Sequence, residues 1–425
     1  MGVQHKAKTN TVKVSKSCLN GTVQLSGAKN SSLRLLAGTL LTKEEVHLRN
    51  IPSQIDDFRI HLEMLEALGK KITPIGSSEI KVSGAVTTTN LRYEGRSIRN
   101  TLLILGCLLT RYGRGSVPLP GGCKLGERKY DLHVHAMESL GAKVWEKDDH
   151  LYAEAPSGGL RGTTIHLRIR STGATENSIL MSCLARGTTK VYNPHIRPEI
   201  LDLIAMLNSM GAKIQVNGQE SIIIEGIEEL GSTDFRCIPD NMEALTFAIA
   251  AAMTRGEVEI LDFPYEALEV PMIFLRESGM NFYRSARGNS LIVKAGDIYP
   301  IEISTGPYPG INSDMQPLMA AFAALAQGKS KIVELRFAGR FKYAEEMAGM
   351  GIDSFQEGEA LIIRGGNSIQ GAEVTALNLR AGAALLLCGM VAEGDTTIAN
   401  FIQVERGYEN IIEKLRNLGA KVAYV

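Results

Sequence analysis

Met210-Gly211-Ala212-Lys213-Ile214 closes a run, 198–210, in which Ile200, Leu203, Ile204 and Leu207 recur at helical spacing. The spacing predicts an amphipathic helix. Glycine just past its last apolar position is the usual left-handed helix stop, and Lys213 to Val216 reads as the strand that follows. The same turn returns as Leu68-Gly69-Lys70-Lys71-Ile72, Leu140-Gly141-Ala142-Lys143-Val144, Ser278-Gly279-Met280, Met350-Gly351-Ile352 and Leu418-Gly419-Ala420-Lys421-Val422. Between Gly69, Gly141, Gly211, Gly279, Gly351 and Gly419 the intervals are 72, 70, 68, 72 and 68 residues.

A second helix, richer in Ala and Leu, recurs once per interval: 31–41, 98–109, 174–184, 242–253, 315–325 and 379–391. These segments are apolar on nearly every side, which predicts that they lie inside a domain. A short polar turn and a strand follow each, at 46–48, 116–119, 189–192, 258–261, 331–334 and 396–399. A period near 70 exceeds the roughly 20–50 residues of common solenoids. Six such units fit two pseudo-symmetric α/β domains of three better than an open array.

Composition sets the broad class. Of 425 residues, 44% are hydrophobic, enough for buried cores in two or more domains. Lys+Arg and Asp+Glu balance at 46 each, so no global field draws the chain to nucleic acid or membrane. The first fifteen residues, MGVQHKAKTNTVKVS, hold no apolar core of a signal peptide, and the run 381–391 is far shorter than a bilayer requires. Cysteines 18, 107, 123, 183, 237 and 388 form no CxxC pair, which reads as reduced thiols in a cytoplasmic protein. All but Cys123 read as small buried apolar residues.

Residues that break the bland repeat are candidates for chemistry. Ser26-Gly27-Ala28-Lys29-Asn30 puts a lysine at a helix start, where free backbone N–H groups suit a phosphate; a solvated lysine gives the same pattern. Residues 119–133, LPGGCKLGERKYDLH, set Gly121, Gly122 and Gly126 around Cys123, with Lys124, Arg128 and Lys129 close by. Such a loop is expected to be exposed, and its cations favour the thiolate; the alternative is a harmless surface thiol. Asp314 precedes a buried helix and reads either as a plain N-cap or as a reactive carboxylate. Arg99, Arg340, Arg380 and Arg406 sit at repeat junctions, and a planar guanidinium suits carboxylate and phosphate oxygens. The eight histidines show no metal-ligand spacing, and neither a P-loop nor GxGxxG after a strand is present, which speaks against metal, ATP and dinucleotide chemistry.

In order along the chain, SGAKN, LPGGC followed by GxR and DLH, SxGATEN at 171–177, DMQ at 314–316, RF at 340–341, LRA at 379–381 and RGYE at 406–409 resemble the enolpyruvyl transferases from about Val14 to Val422. The resemblance implies two inside-out α/β barrels, each of three βαβαββ units. It places the first domain at 29–237 and the second at 1–28 with 238–425. It also implies an active site between the two, shut by the cysteine loop. The implied reaction needs no cofactor and no metal. It moves the enolpyruvyl group of phosphoenolpyruvate to a uridine nucleotide by addition and elimination through a tetrahedral ketal.

The implied acceptor is the 3-hydroxyl of UDP-N-acetylglucosamine, a step of peptidoglycan precursor synthesis; a paralogue would use another nucleotide such as UMP. The partners are thus small molecules, in a monomer or weak homo-oligomer. By resemblance Cys123 is the acid or the covalent nucleophile, and the thiol that fosfomycin alkylates, and Asp314 faces the acceptor hydroxyl. Lys29, Arg99, Arg128, Arg340, Arg380 and Arg406 surround phosphate and carboxylate, with Lys29 and Arg406 also catalytic. Asn30, Arg128, Lys129, Asp131, Leu132, His133, Ser171, Gly173, Asp314 and Arg336 hold the acceptor. The chain departs from the family at Asn378, where aspartate is common, at Asn241, where arginine is common, and at Arg336 and Gly339; these changes bear on the acceptor rather than on phosphoenolpyruvate.

Overall fold

The computed structural model describes residues 11–96, 98–120, 130–286, 288–337 and 339–425. All six turn glycines have positive φ: Gly69 +98°, Gly141 +97°, Gly211 +103°, Gly279 +90°, Gly351 +79° and Gly419 +92°. A β-carbon is disfavoured in that region, so each glycine ends its helix and sends the chain into a strand.

The apolar helices form at Lys29–Gly38, Thr101–Tyr112, Thr172–Ser182, Asn241–Met253, Gln316–Ala323 and Leu379–Gly389. In Asn241–Met253 every residue is buried. Strands instead alternate: Asp395–Ala399 buries Thr396 and Ile398 and turns the other side chains outward. A helix apolar on all sides has nowhere to go but the centre, and a two-faced strand can form the wall. Helices inside and sheets outside follow directly from the two patterns.

One repeat shows the wiring. Thr164–His166 leads through the buried helix Thr172–Ser182 to Thr188–Tyr192, which pairs with it in parallel. The amphipathic helix Pro198–Ser209 then leads to Lys213–Asn217, and a hairpin returns Ser221–Glu225 between the two. Among the described residues there are six sheets, one per repeat, five of four strands and one of three. Val12–Ser15 lies antiparallel between Asp395–Ala399 and Lys421–Tyr424. Asn20–Gln24 pairs in parallel with Glu257–Leu261.

Contacts divide the chain into two compact units, Gly27–Ile238 and Pro239–Val425 with the residues up to Ser26. Each has its own hydrophobic core. The division falls two residues before the expected 28/29 and one after 237/238. Ala28 N donates to Ile238 O at 2.8 Å, which keeps both with the first unit, and Asp240 N donates to Ser26 O at 2.9 Å, which keeps both with the second.

Cys107, Cys183, Cys237 and Cys388 are buried, and burial pushes the thiols of Cys183 and Cys388 up to about 12. Cys18 is exposed, against the expectation of a buried residue: it lies in the connection between the strands Val12–Ser15 and Asn20–Gln24. Among the described residues no helix is long and apolar enough to cross a membrane.

Candidate active site

In the first unit the chemistry gathers at helix starts. Lys29 is the first residue of Lys29–Gly38, whose N-cap Ala28 offers no side-chain acceptor. The orphan N–H groups there favour an anion. Lys29 Nζ lies 2.6 Å from Asp57 Oδ2, and Arg96 pairs with the other oxygen of the same carboxylate. Burial pushes the Asp57 carboxyl up, but Lys29 and Arg96 outweigh it and hold it below its ordinary 3.8. One buried carboxylate thus collects two cations and leaves a positive surplus. Asn30 is half-buried on the next position of the helix.

Asp131, Leu132 and His133 form the first turn of Asp131–Ser139. Asp131 pairs with Arg168. The Leu132 side chain belongs to the core, so only its backbone can face a ligand. His133 is 4% exposed, and burial, reinforced by the charge of Arg99, lowers its imidazole from 6.5 to about 3. Asn177 Nδ2 lies 3.2 Å from His133 Nδ1. An amide nitrogen only donates, so Nδ1 accepts and the neutral ring carries its proton on Nε2. Ser171 caps the helix Thr172–Ser182, its hydroxyl accepting from Ala174 N at 3.4 Å. A β-carbon on Gly173 would lie 2.8 Å from His133 Nε2.

The second unit assembles its own cluster. Asp314 is not the cap of the helix that follows: Met315 is, with no side-chain bond. Asn312 Oδ1 instead accepts from Asp314 N at 2.9 Å and Met315 N at 3.2 Å. The Asp314 carboxylate instead pairs with Arg340 and approaches Arg380 Nε at 3.6 Å. Arg380, on the first turn of Leu379–Gly389, is 6% exposed, and its guanidinium stands 5.2 Å above the Tyr408 ring. Tyr408 is itself fixed by a 2.8 Å bond between its hydroxyl and Thr246 Oγ1.

Nε and Nη1 of Arg380 are buried without a hydrogen-bond acceptor among the described residues. Arg406 donates to Gln403 Oε1 at 3.3 Å. Arg336 is exposed, with its backbone N bonded to Glu334 Oε1 at 2.9 Å. Asn378, which the sequence reading set apart from a common aspartate, caps the Arg380 helix through Arg380 N and Ala381 N.

Cys123, Arg128 and Lys129 lie outside the described residues. Of the other expected site residues, Lys29, Asn30, Arg99, Asp131, Leu132, His133, Ser171 and Gly173 lie in the first unit, and Arg336, Asp314, Arg340, Arg380 and Arg406 in the second. Sequence reasoning did not single out Asp57, Arg96, Asn312, Glu334 or Tyr408. Among the described residues no group of three or more His, Cys, Asp or Glu is placed to hold a metal ion.

The family model described as EPSP synthase (3-phosphoshikimate 1-carboxyvinyltransferase) matches residues 14–415. The chain is 41% identical over 409 residues to UDP-N-acetylglucosamine 1-carboxyvinyltransferase 2 of Carboxydothermus hydrogenoformans, covering 96% of this chain and 97% of that one. It is 38% identical over 413 residues to UDP-N-acetylglucosamine 1-carboxyvinyltransferase of Shewanella frigidimarina, with 96% and 97% covered. Among solved structures, the enolpyruvyl transferase NikO from Streptomyces tendae superposes with a TM-score of 0.86 over 97% of this chain and 98% of its own, at 24% identity, a likeness of fold. With both its sequence and its six-repeat architecture accounted for, the chain belongs to the EPSP synthase family of 1-carboxyvinyltransferases, the enolpyruvyl transferases.

Proposed function

We propose that the chain transfers the enolpyruvyl group of phosphoenolpyruvate to the 3-hydroxyl of UDP-N-acetylglucosamine and releases phosphate. The observation that carries this reading is Arg380. A guanidinium 6% exposed, whose Nε and Nη1 have no hydrogen-bond acceptor among the described residues, with Asp314 no nearer to Nε than 3.6 Å, is costly unless an anion completes it. Phosphoenolpyruvate brings two anionic groups, and each unit has cations in excess of its local carboxylate: Lys29 and Arg96 around Asp57, Arg340 and Arg380 around Asp314.

In this reading C3 of phosphoenolpyruvate takes a proton from Cys123, and C2 becomes cationic. The acceptor hydroxyl, facing Asp314, gives its proton to the Asp314 carboxylate as base and attacks C2, forming a tetrahedral ketal. Phosphate then leaves with its C–O bond electrons, the Cys123 thiolate takes back a proton from C3, and the enol ether is regenerated on the acceptor. Lys29, Arg99, Arg128, Arg340, Arg380 and Arg406 compensate the phosphate and carboxylate charge through these steps. Asn30, Lys129, Asp131, the Leu132 backbone, His133, Ser171, Gly173 and Arg336 hold the acceptor. The relatives named for UDP-N-acetylglucosamine, 41% and 38% identical over nearly the whole chain, support this choice of acceptor.

Phosphate release from phosphoenolpyruvate, measured with UDP-N-acetylglucosamine, UMP and shikimate 3-phosphate in turn, tests it. Release is expected with UDP-N-acetylglucosamine. Release with UMP alone would move the chain to another acceptor, and no release with any of the three would overturn a catalytic role.

A further inference from the structure

Glu334 follows the strand Gly328–Val333 and is 1% exposed. Its Oε1 accepts from Thr305 Oγ1 at 2.9 Å, Ser313 Oγ at 2.9 Å, Arg336 N at 2.9 Å and Phe337 N at 3.2 Å. Its Oε2 lies 3.5 Å from Gln316 Nε2. Thr305 Oγ1 in turn accepts from Leu335 N at 2.9 Å. A buried carboxylate is tolerated where donors replace its water. Here those donors come from two separate stretches, Thr305 to Gln316 and Arg336 to Phe337.

The first stretch carries Asp314, and its neighbours Ser313 and Gln316 both turn inward to Glu334. Asn312 pins the backbone on the other side. With its neighbours directed inward, Asp314 is the side chain left pointing out, toward Arg340 and Arg380. The second stretch carries Arg336, whose backbone N–H is held by the same oxygen. A single anion therefore fixes both the candidate base and the loop beside it.

We infer that Glu334 is a positioning residue for the transfer: its buried carboxylate sets the place of the Asp314 carboxylate against the acceptor hydroxyl. This rests on the reading of Asp314 in the proposed function. Glu334 touches no reacting atom and acts through Ser313, Gln316 and the 335–337 backbone. Glu334→Gln keeps an oxygen for the four donors, and its new amide N–H can meet Gln316 Oε1, which has no partner among the described residues. Glu334→Ala orphans two hydroxyls and two backbone N–H groups. Ser313→Ala removes one donor and leaves the other three on Oε1 in place.

The test is steady-state kinetics with phosphoenolpyruvate and UDP-N-acetylglucosamine on wild type and the three variants, beside thermal unfolding of each. For Glu334→Ala, kcat is expected to fall about 100-fold, the scale of a misplaced reacting group, while the KM for phosphoenolpyruvate changes far less. Glu334→Gln should recover most of that loss. Ser313→Ala should lose about 5-fold in kcat, one hydrogen bond's worth, with its melting temperature near that of wild type. If Glu334→Ala does not fold, Ser313→Ala and Glu334→Gln decide. A folded Glu334→Ala with unchanged kcat, an unchanged Ser313→Ala, or a folded Glu334→Gln as slow as Glu334→Ala overturns the inference alone. A wild type inactive with every acceptor overturns the proposed function and this inference with it.

Discussion

His133 Nε2 stands 2.8 Å from the point that a β-carbon on Gly173 would occupy. The ring cannot step aside cheaply, because it is buried and its Nδ1 is held by Asn177. Gly173 also lies in the first turn of its helix, where alanine alone would gain about 1 kcal/mol. Gly173→Ala therefore sets a clash against a propensity gain. The expected result is a higher KM for the acceptor, with the KM for phosphoenolpyruvate little changed, checked by varying each substrate against a fixed level of the other. An unaltered acceptor KM would remove His133 and Gly173 from the acceptor site.

Arg380 separates function from stability. Its Nε and Nη1, without hydrogen-bond acceptors among the described residues, make it a costly residue in the free protein and a useful one with an anion bound. Arg380→Met fills a similar volume without the charge. The variant should lose at least about 10-fold in kcat/KM for phosphoenolpyruvate, because hydrogen bonds to charged groups are worth about 1.5–3 kcal/mol. Without substrate it should unfold at the same or a higher denaturant concentration than wild type. A clearly less stable variant would mean that Arg380 supports the fold and not a ligand.

How much was legible in the sequence depended on whether the cause was local. The helix-ending glycines were legible because a left-handed stop is a property of one residue and its neighbours, and all six took positive φ. The buried helices were legible because apolar residues on every face leave a helix only the interior. Asp57 was not: in the first turn of Asp56–Ala67 it looks like an ordinary complement to the helix dipole, and its pairing with Lys29 and Arg96 is tertiary. Glu334 reads as a solvated strand end, yet it is buried by donors from residues far off in sequence. Asn312 hid the role of Asp314, since either side chain could have made the turn. The pairing of Val12–Ser15 with strands near the other end of the chain has no signal in any periodicity.

His61 offers a clean pH test. It is fully buried with neither ring nitrogen hydrogen-bonded among the described residues, and burial, with Arg34 adding to it, lowers its imidazole from 6.5 to about 3. The unfolded chain takes up a proton below about 6.5 while the folded one does not until about 3, so the residue costs stability progressively as pH falls through that window. His61→Leu removes the titration. The gap in unfolding free energy between variant and wild type, followed by urea unfolding from about pH 8 to about pH 5, should widen in the variant's favour by up to about 1.4 kcal/mol per pH unit below 6.5. A gap independent of pH would show that the imidazole titrates alike in both states.

The turn glycines should not be equally replaceable. At Gly211 a β-carbon meets open space, so Gly211→Ala bears only the cost of its +103° φ, about 1–2 kcal/mol. At Gly279 the β-carbon would overlap the Asp297 carbonyl oxygen as well. Gly279→Ala should therefore lose clearly more stability in denaturant unfolding. Equal losses would mean that the Asp297 backbone yields freely.

Carboxyvinyl transfer is tested most directly by following the oxygen that bridges C2 and phosphorus in phosphoenolpyruvate. With that atom labelled as oxygen-18 and UDP-N-acetylglucosamine as acceptor, C–O cleavage sends the label into inorganic phosphate and leaves an unlabelled enol ether on the sugar. Label retained in pyruvate, or phosphate found on the acceptor, would show phosphoryl transfer instead and contradict the assigned chemistry.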